Sequence, residues 1–328
     1  MLSCPILSII IPVYNVEAYL GQTLASVFDT TAQEDAFEVI VVNDGTKDRS
    51  MDVVQRFADK PNIEIVEQEN QGLSAARMRG ADIAQGKYVW FIDSDDWLEK
   101  DGVQHVLSIL EDKPGADVLM FPLRWVYEDE GIEKMDYVID GEKMKSGRQI
   151  LLDMALPVWA SVRFVIKRSL MDSRWLFFPK GVLHEDEYFG PVLMCLAERV
   201  VVLKDPVYNY RLRPGSITSC ANVRSSYAMV SIHKSLMDFM EETMSPEEKL
   251  PFRQYCFGRL LTSYTRSPEL IGSREFDKFA HKDGFYVWRQ WLIIHRQRSL
   301  FNKLGRLFFF MMPGLRKRIV GRDDSVLI

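Results

Sequence analysis

Along the N-terminal part of the chain, short apolar runs alternate with stretches whose apolar residues recur every three or four positions. The runs Ser8-Ile9-Ile10-Ile11, Glu38 to Val42, Ile63 to Val66, Lys87 to Ile92 and Asp117 to Phe121 have the length and β-branched content of strands. Between them, residues 16–28 place Leu20, Leu24 and Val27 on one helical face, and residues 48–58, 73–84 and about 102–110 repeat that period. Strand and helix in strict alternation predict an α/β fold with a mainly parallel central sheet. Residues 127–147 are charged and irregular and predict a hairpin or excursion, and 158–213 resume mixed structure. Residues 224–266 and 274–312 read as helical, broken at Ser267-Pro268 and Pro313-Gly314. A boundary near residue 216 divides the chain into residues 1–215 and a helical region, 216–328.

Three of the strands end in polar turns. They are Pro12-Val13-Tyr14-Asn15, Asn43-Asp44-Gly45-Thr46-Lys47-Asp48 and Asp93-Ser94-Asp95-Asp96. In an open α/β sheet the carboxyl ends of the strands form the edge where ligands bind, so the topology gathers these turns. The third is the most informative, because a buried strand runs into three carboxylates within four positions. Clustered carboxylates repel one another and lose hydration, and a cation relieves both costs. A hard divalent ion such as Mg²⁺ or Mn²⁺ carrying nucleotide phosphates suits oxygen ligands of this kind. The competing reading is an acidic turn that caps a helix starting at Trp97, with Asp95 or Asp96 as N-cap.

Composition narrows the class. The chain has 328 residues, with ordinary apolar and charged fractions and a net charge of −5. Its four cysteines, Cys4, Cys195, Cys220 and Cys256, form no CxxC pair, which speaks against a disulfide framework or zinc site and fits a reducing compartment. No run approaches the ~20 apolar residues of a spanning helix, and no basic n-region precedes the first apolar run. A cytoplasmic protein is expected. The charge is unevenly spread, however. From Phe285 to Arg322 there are nine Lys or Arg and no Asp or Glu, interleaved with bulky apolar residues. That is the composition of an amphipathic helix lying on an anionic membrane surface, or of helices packing on the rest of the chain with a basic outer face. Nucleic acid is not expected as a partner.

Four motifs, Ile11-Pro12-Val13-Tyr14-Asn15, Val42-Asn43-Asp44-Gly45-Thr46-Lys47-Asp48, Asn70-Gln71-Gly72-Leu73-Ser74-Ala75-Ala76-Arg77 and Asp93-Ser94-Asp95-Asp96, occur in an order and spacing that resembles family 2 glycosyltransferases. The resemblance covers roughly residues 5–215. It implies the GT-A fold, a nucleotide-sugar-binding sandwich, and an inverting, metal-dependent transfer from a nucleotide-sugar, usually a UDP-sugar, to a hydroxyl of a glycan or polyprenyl-linked acceptor in surface-polysaccharide synthesis. It assigns Asp44 to the imide N–H of uracil, where an Asx-turn holding the loop is the structural alternative. Pro12 and Tyr14 would floor the base pocket, and Arg77 would meet the diphosphate. Ser94 lies within the DxD motif. Asp95 would bind Mn²⁺ or Mg²⁺ directly, with Asp93 on the ribose or on the metal through water. In His184-Glu185-Asp186-Glu187-Tyr188-Phe189 the resemblance makes Asp186 the general base, with Glu185 raising its pKa or orienting the acceptor; an acid-rich helix N-terminus is the alternative.

Other residues stay open. Arg211 or Arg213, in Tyr208-Asn209-Tyr210-Arg211-Leu212-Arg213, could close over the diphosphate or form a basic edge turn. His184 is a structural residue or a ligand. Trp159 is a core residue or a sugar-stacking platform. A second functional class is a degenerate, nucleotide-sugar-binding scaffold subunit of a synthase complex; a missing carboxylate among Asp44, Asp95 and Asp186 would have favoured it. A nucleotidyltransferase would need a Gly-rich basic loop after the first strand, and a processive synthase would need spanning helices and a QxxRW motif.

Overall fold

The computed structural model describes residues 4–127, 132–136, 143–153, 159–213 and 223–265. The helix expected at 274–312, the breaks at 267–268 and 313–314 and the basic stretch 285–322 lie outside them. The described chain divides into two units, Met1–Gly181 with Glu185–Ser216, and Val182–His184 with Ile217–Ile328.

In the first unit the elements run β1 (Leu7–Val13), α1 (Leu20–Phe28), β2 (Phe37–Asn43), α2 (Ser50–Gln55), β3 (Ile63–Glu67), α3 (Leu73–Ile83), β4 (Tyr88–Phe91), β5 (Trp97–Leu98) and α4 (Gly102–Asp112). They continue with β6 (Val118–Met120), β7 (Leu123–Tyr127), β8 (Ile132–Met135), β9 (Lys143–Lys145), α5 (Gly147–Asp153), β10 (Phe164–Lys167), α6 (Asp186–Leu196), β11 (Val200–Val202) and β12 (Tyr208–Leu212). An eight-stranded sheet has the order β3-β2-β1-β4-β10-β6-β11-β9, and a four-stranded sheet the order β5-β12-β7-β8.

The pairs β3–β2, β2–β1 and β1–β4 are parallel, as the alternation predicts. The rest is mixed. Strand β10 inserts antiparallel between β4 and β6, and β9 lies antiparallel on β11. The expected helix at Trp97 is absent: Trp97 and Leu98 form β5, paired with Asn209 and Tyr208 of β12. A partner from the far end of the unit overrides the local helical signal there. The irregular stretch after residue 127 contributes β8, which forms a hairpin with β7.

Strands β1, β2 and β4 are buried along nearly their whole length, the burial expected of a sheet covered on both faces. Leu20, Leu24 and Val27 of α1 are buried, as the spacing predicts. Helix α3 packs differently. Its buried residues are Ser74, Ala75, Ala76, Arg77 and Gly80. Small side chains let this helix settle deep on the sheet, and a Cβ on Gly80 would meet Ile10 Cγ2 at 2.4 Å. That close approach carries the Arg77 guanidinium to the carboxyl edge of the strands.

In the second unit, α7 (Val223–Thr243) and α8 (Pro246–Thr265) pack on one another, and His184 Nε2 lies 3.1 Å from Ser225 Oγ on α7. The stretch 224–266, expected to be helical, holds these two helices, separated at Met244-Ser245. Among the described residues no helix is long and apolar enough to cross a membrane.

Candidate active site

The turns after β1 and β2 are sewn together by Asp48. One of its oxygens accepts bonds from Thr46 Oγ1, Ser50 Oγ and the Ser50 N–H, and the other from the Glu17 N–H at 2.9 Å. Burial alone would push this carboxyl up, but these hydrogen bonds outweigh it and hold the pKa at about 2. Asn15 completes the seam from a left-handed backbone (φ 53°), accepting the Lys47 N–H. Pro12 ends buried in β1, and Tyr14 is 42% exposed beside it.

Asp44 is buried. Its Oδ1 accepts Gln68 Nε2 (2.7 Å) and the Gln71 N–H (2.8 Å), and its Oδ2 accepts the Gly72 N–H (2.8 Å). The carboxylate therefore closes the loop between β3 and α3, and Oδ2, with one donor, keeps a lone pair for another. Gly45 and Gly72, at φ 69° and 86°, supply the left-handed turns this closure requires.

The acidic turn after β4 is built from both sides. Asp93 Oδ1 accepts Arg77 Nη2 at 2.7 Å. Asp95 Oδ2 accepts Nε and Nη2 of Arg213 at 3.1 and 3.0 Å. Asp96 is buried; its Oδ2 accepts the Tyr208 hydroxyl (2.7 Å) and its Oδ1 the Arg211 N–H (2.7 Å), while Tyr208 also receives the Asp93 N–H. Ser94 is buried, and the Thr23 hydroxyl bonds the carbonyls of Ser94 and Asp96. Arg211 does not reach out of the turn: Nε donates to the Asp95 carbonyl, Nη2 to Gln22, and its guanidinium lies over the rings of Tyr19 and Trp97 at 4.9 and 4.6 Å. Burial and the Asp93 charge still raise the Asp95 carboxyl against the pull of Arg213, and burial with both neighbours raises Asp96 further.

Arg77 joins this turn to the second acidic motif. It is 1% exposed, with Nη1 2.7 Å from Glu185 Oε1 and 3.6 Å from Asp186 Oδ1. The Phe178 ring supports it at 5.0 Å, itself stacked on Phe189 at 4.0 Å. One guanidinium thus collects Asp93, Glu185 and Asp186, and their charges hold its pKa above the ordinary value despite burial. Asp186 opens α6. Its carboxyl is pushed up to about 8, chiefly by burial, with Arg77 pulling down and Glu185 and Asp93 adding like-charge repulsion. His184, left-handed at φ 62°, precedes the pair. Trp159 is 1% exposed and belongs to the core, so it offers no stacking face.

The structure brings Asp93, Asp95, Arg77, Glu185 and Asp186 into one constellation and sets Asp44 at the base of the neighbouring loop. Tyr208, Thr23 and Phe178 hold that constellation without having stood out in the sequence. The signal for Tyr208 was present in the aromatic strand Tyr208-Asn209-Tyr210-Arg211, but its acceptor lies 112 positions away.

Among the described residues no three His, Cys, Asp or Glu side chains form a protein-only metal cage. The donor set nevertheless fits an ion delivered with its phosphates. Asp95 and Asp93 sit one residue apart at the carboxyl end of β4 and present hard carboxylate oxygens, the donor type Mg²⁺ and Mn²⁺ take.

The sequence profile described as Glycosyl transferase family 2 matches residues 8–172. Glycosyltransferase GlyA of Streptococcus pneumoniae is 31% identical over 256 residues, covering 74% of this chain and 36% of GlyA. EpsH of Bacillus subtilis is 30% identical, covering 74% of this chain and 72% of EpsH. The chain therefore spans about a third of one relative and nearly three quarters of the other. Residues 1–349 of Staphylococcus aureus TarS, crystallised with UDP-GlcNAc, superpose with a TM-score of 0.71 at 20% identity, over 85% of this chain and 80% of that one. That likeness is one of fold, an α/β GT-A sandwich followed by helices.

Proposed function

The chain belongs to glycosyl transferase family 2, and from that membership we propose that it transfers a sugar, with inversion, from a UDP-sugar to a hydroxyl of a glycan or lipid-linked acceptor in cell-surface polysaccharide synthesis. The arrangement around Arg77 carries this reading. One buried guanidinium meets Asp186, read here as the base, its neighbour Glu185, and Asp93 of the acidic turn, whose Asp95 is held by Arg213.

In this reading Asp186 takes the proton of the acceptor hydroxyl as the new glycosidic bond forms. Attack comes from the face opposite the departing diphosphate, so the configuration inverts. Glu185, bonded to Arg77, orients the acceptor. Asp44 receives the base N–H beside Pro12 and Tyr14. Asp95 and Asp93 would hold Mn²⁺ or Mg²⁺, and a bound ion supplies neutralisation of the charge that gathers on the leaving diphosphate. The donor choice is supported by TarS, a poly(ribitol-phosphate) β-N-acetylglucosaminyltransferase crystallised with UDP-GlcNAc. UDP-GlcNAc is accordingly the first hexosyl or N-acetylhexosaminyl donor to try.

Calorimetric titration with UDP, with and without Mn²⁺, tests the donor half. Metal-dependent binding that disappears in Asp95→Ala is expected. Folded protein that binds no UDP under either condition would sink the reading.

A further inference from the structure

We propose that the segment from Arg174 to Lys180 is the acceptor platform of this site, and that the acceptor it takes is an anionic glycan. The inference rests on the glycosyltransferase reading and adds a substrate class to it. Between Asp172 and His184 the sequence has two cations, Arg174 and Lys180, and no carboxylate. Leu176 and Phe178 are buried, and the Phe178 ring lies beneath Arg77, the residue that holds Asp93, Glu185 and Asp186. Two further bonds fix its ends: Ser74 Oγ donates to the Pro179 carbonyl at 2.9 Å, and the Tyr188 hydroxyl donates to the Trp175 carbonyl at 3.0 Å.

What the segment turns outward is a different chemistry. Phe177 is 37% exposed, with its ring 4.9 Å from that of Tyr188, two positions beyond Asp186. Arg174 and Lys180 are exposed, and the Arg174 guanidinium lies 5.0 Å from the Trp175 ring. Leu73, 39% exposed, adds an apolar lip from the start of α3, next to the Ser74 that anchors Pro179. Exposed Phe177, with exposed cations three positions to either side in the sequence, offers the chemistry that a sugar ring flanked by negative groups would take. Exposed cations on this segment would favour the approach of an anionic chain toward Asp186. The negative groups can be phosphodiesters or uronate carboxylates, since both meet guanidinium and ammonium with charge-assisted hydrogen bonds.

The test uses UDP-saturated full-length protein and three oligomers of similar length: a ribitol phosphate octamer, an oligogalacturonate and neutral maltoheptaose. Calorimetry should show one anionic oligomer binding at least ~10-fold more tightly than maltoheptaose. Arg174→Ala/Lys180→Ala should cut that affinity ~10-fold, and Phe177→Ala should weaken it without changing its salt dependence. Which anionic oligomer binds separates phosphate from carboxylate recognition. Equal binding of the neutral oligomer, no binding of either anionic one, or undiminished affinity in the double variant would overturn the proposal. UDP titration of the same proteins keeps the two readings apart: variants that still bind UDP are folded, whereas a wild type that binds no UDP condemns the donor site instead.

Discussion

Replacing Arg77 with alanine would strand three carboxylates around a buried void. Breaking a buried ion pair by removing one partner typically costs ~3–5 kcal/mol, because the remaining charges stay desolvated. Arg77→Ala should therefore lower the denaturation midpoint sharply, and any folded fraction should lose transfer by at least ~100-fold as the Glu185-Asp186 pair loses its anchor. A variant with wild-type stability and turnover would refute the central place given to this residue. Asp186 sets the second expectation at this scale. A base works only when deprotonated, so kcat/KM should climb with pH and level off above about 8, the value to which burial raises this carboxyl. Stability runs the other way. With its folded pKa above the ordinary 3.8, Asp186 contributes stability that is complete below pH 3.8 and is lost as pH rises through about 8. Asp186→Asn should abolish transfer and remove that loss, which accrues between pH 3.8 and about 8 and which thermal melts across that range would read.

Among the elements, α3 is the one whose packing the site depends on most. Gly80→Ala places a methyl 2.4 Å from Ile10 Cγ2, and overpacking of this kind costs ~1–3 kcal/mol. The helix would have to lift from β1, drawing Arg77 away from Asp93. Urea unfolding should show the loss of stability, and turnover should fall further than stability alone explains. Apart from β5, the strands and helices up to residue 121 were legible because each announces itself locally, through β-branched runs, helical spacing and turn residues. The turns that carry Asp44 and Asp93 to Asp96 were legible for the same reason. What was not legible depends on distant partners. Two residues at 97–98 are a strand only because β12 lies beside them. The antiparallel insertion of β10 follows from a chain reversal that no local pattern encodes. Arg77, which the resemblance sets on the diphosphate, has a carboxylate partner 108 positions further on, and nothing near it in sequence reveals that.

At the scale of the whole molecule, charge is segregated. The nine cations of residues 285–322 stand against a chain of net charge −5. We predict that the full-length protein co-sediments with vesicles containing anionic lipid and not with neutral vesicles, and that ~0.5 M salt releases it. Replacing Arg316, Lys317 and Arg318 with glutamine should weaken the association, each charge near the surface being worth ~1 kcal/mol. Equal binding to neutral vesicles would point to apolar insertion instead, and no binding to either would end the membrane proposal. The division of the chain into two units carries a separate consequence, for ancestry. Val182–His184 group with α7 and α8, and His184 is bonded to Ser225 there, although the next two residues are Glu185 and Asp186. A crossover placed after Ser216 would transplant the helices of one lineage but leave behind the three residues that fit them. The inheritable module is therefore discontinuous, and gene shuffling that treats the helical region as a free cassette would leave its mismatch one peptide bond from the Glu185-Asp186 pair.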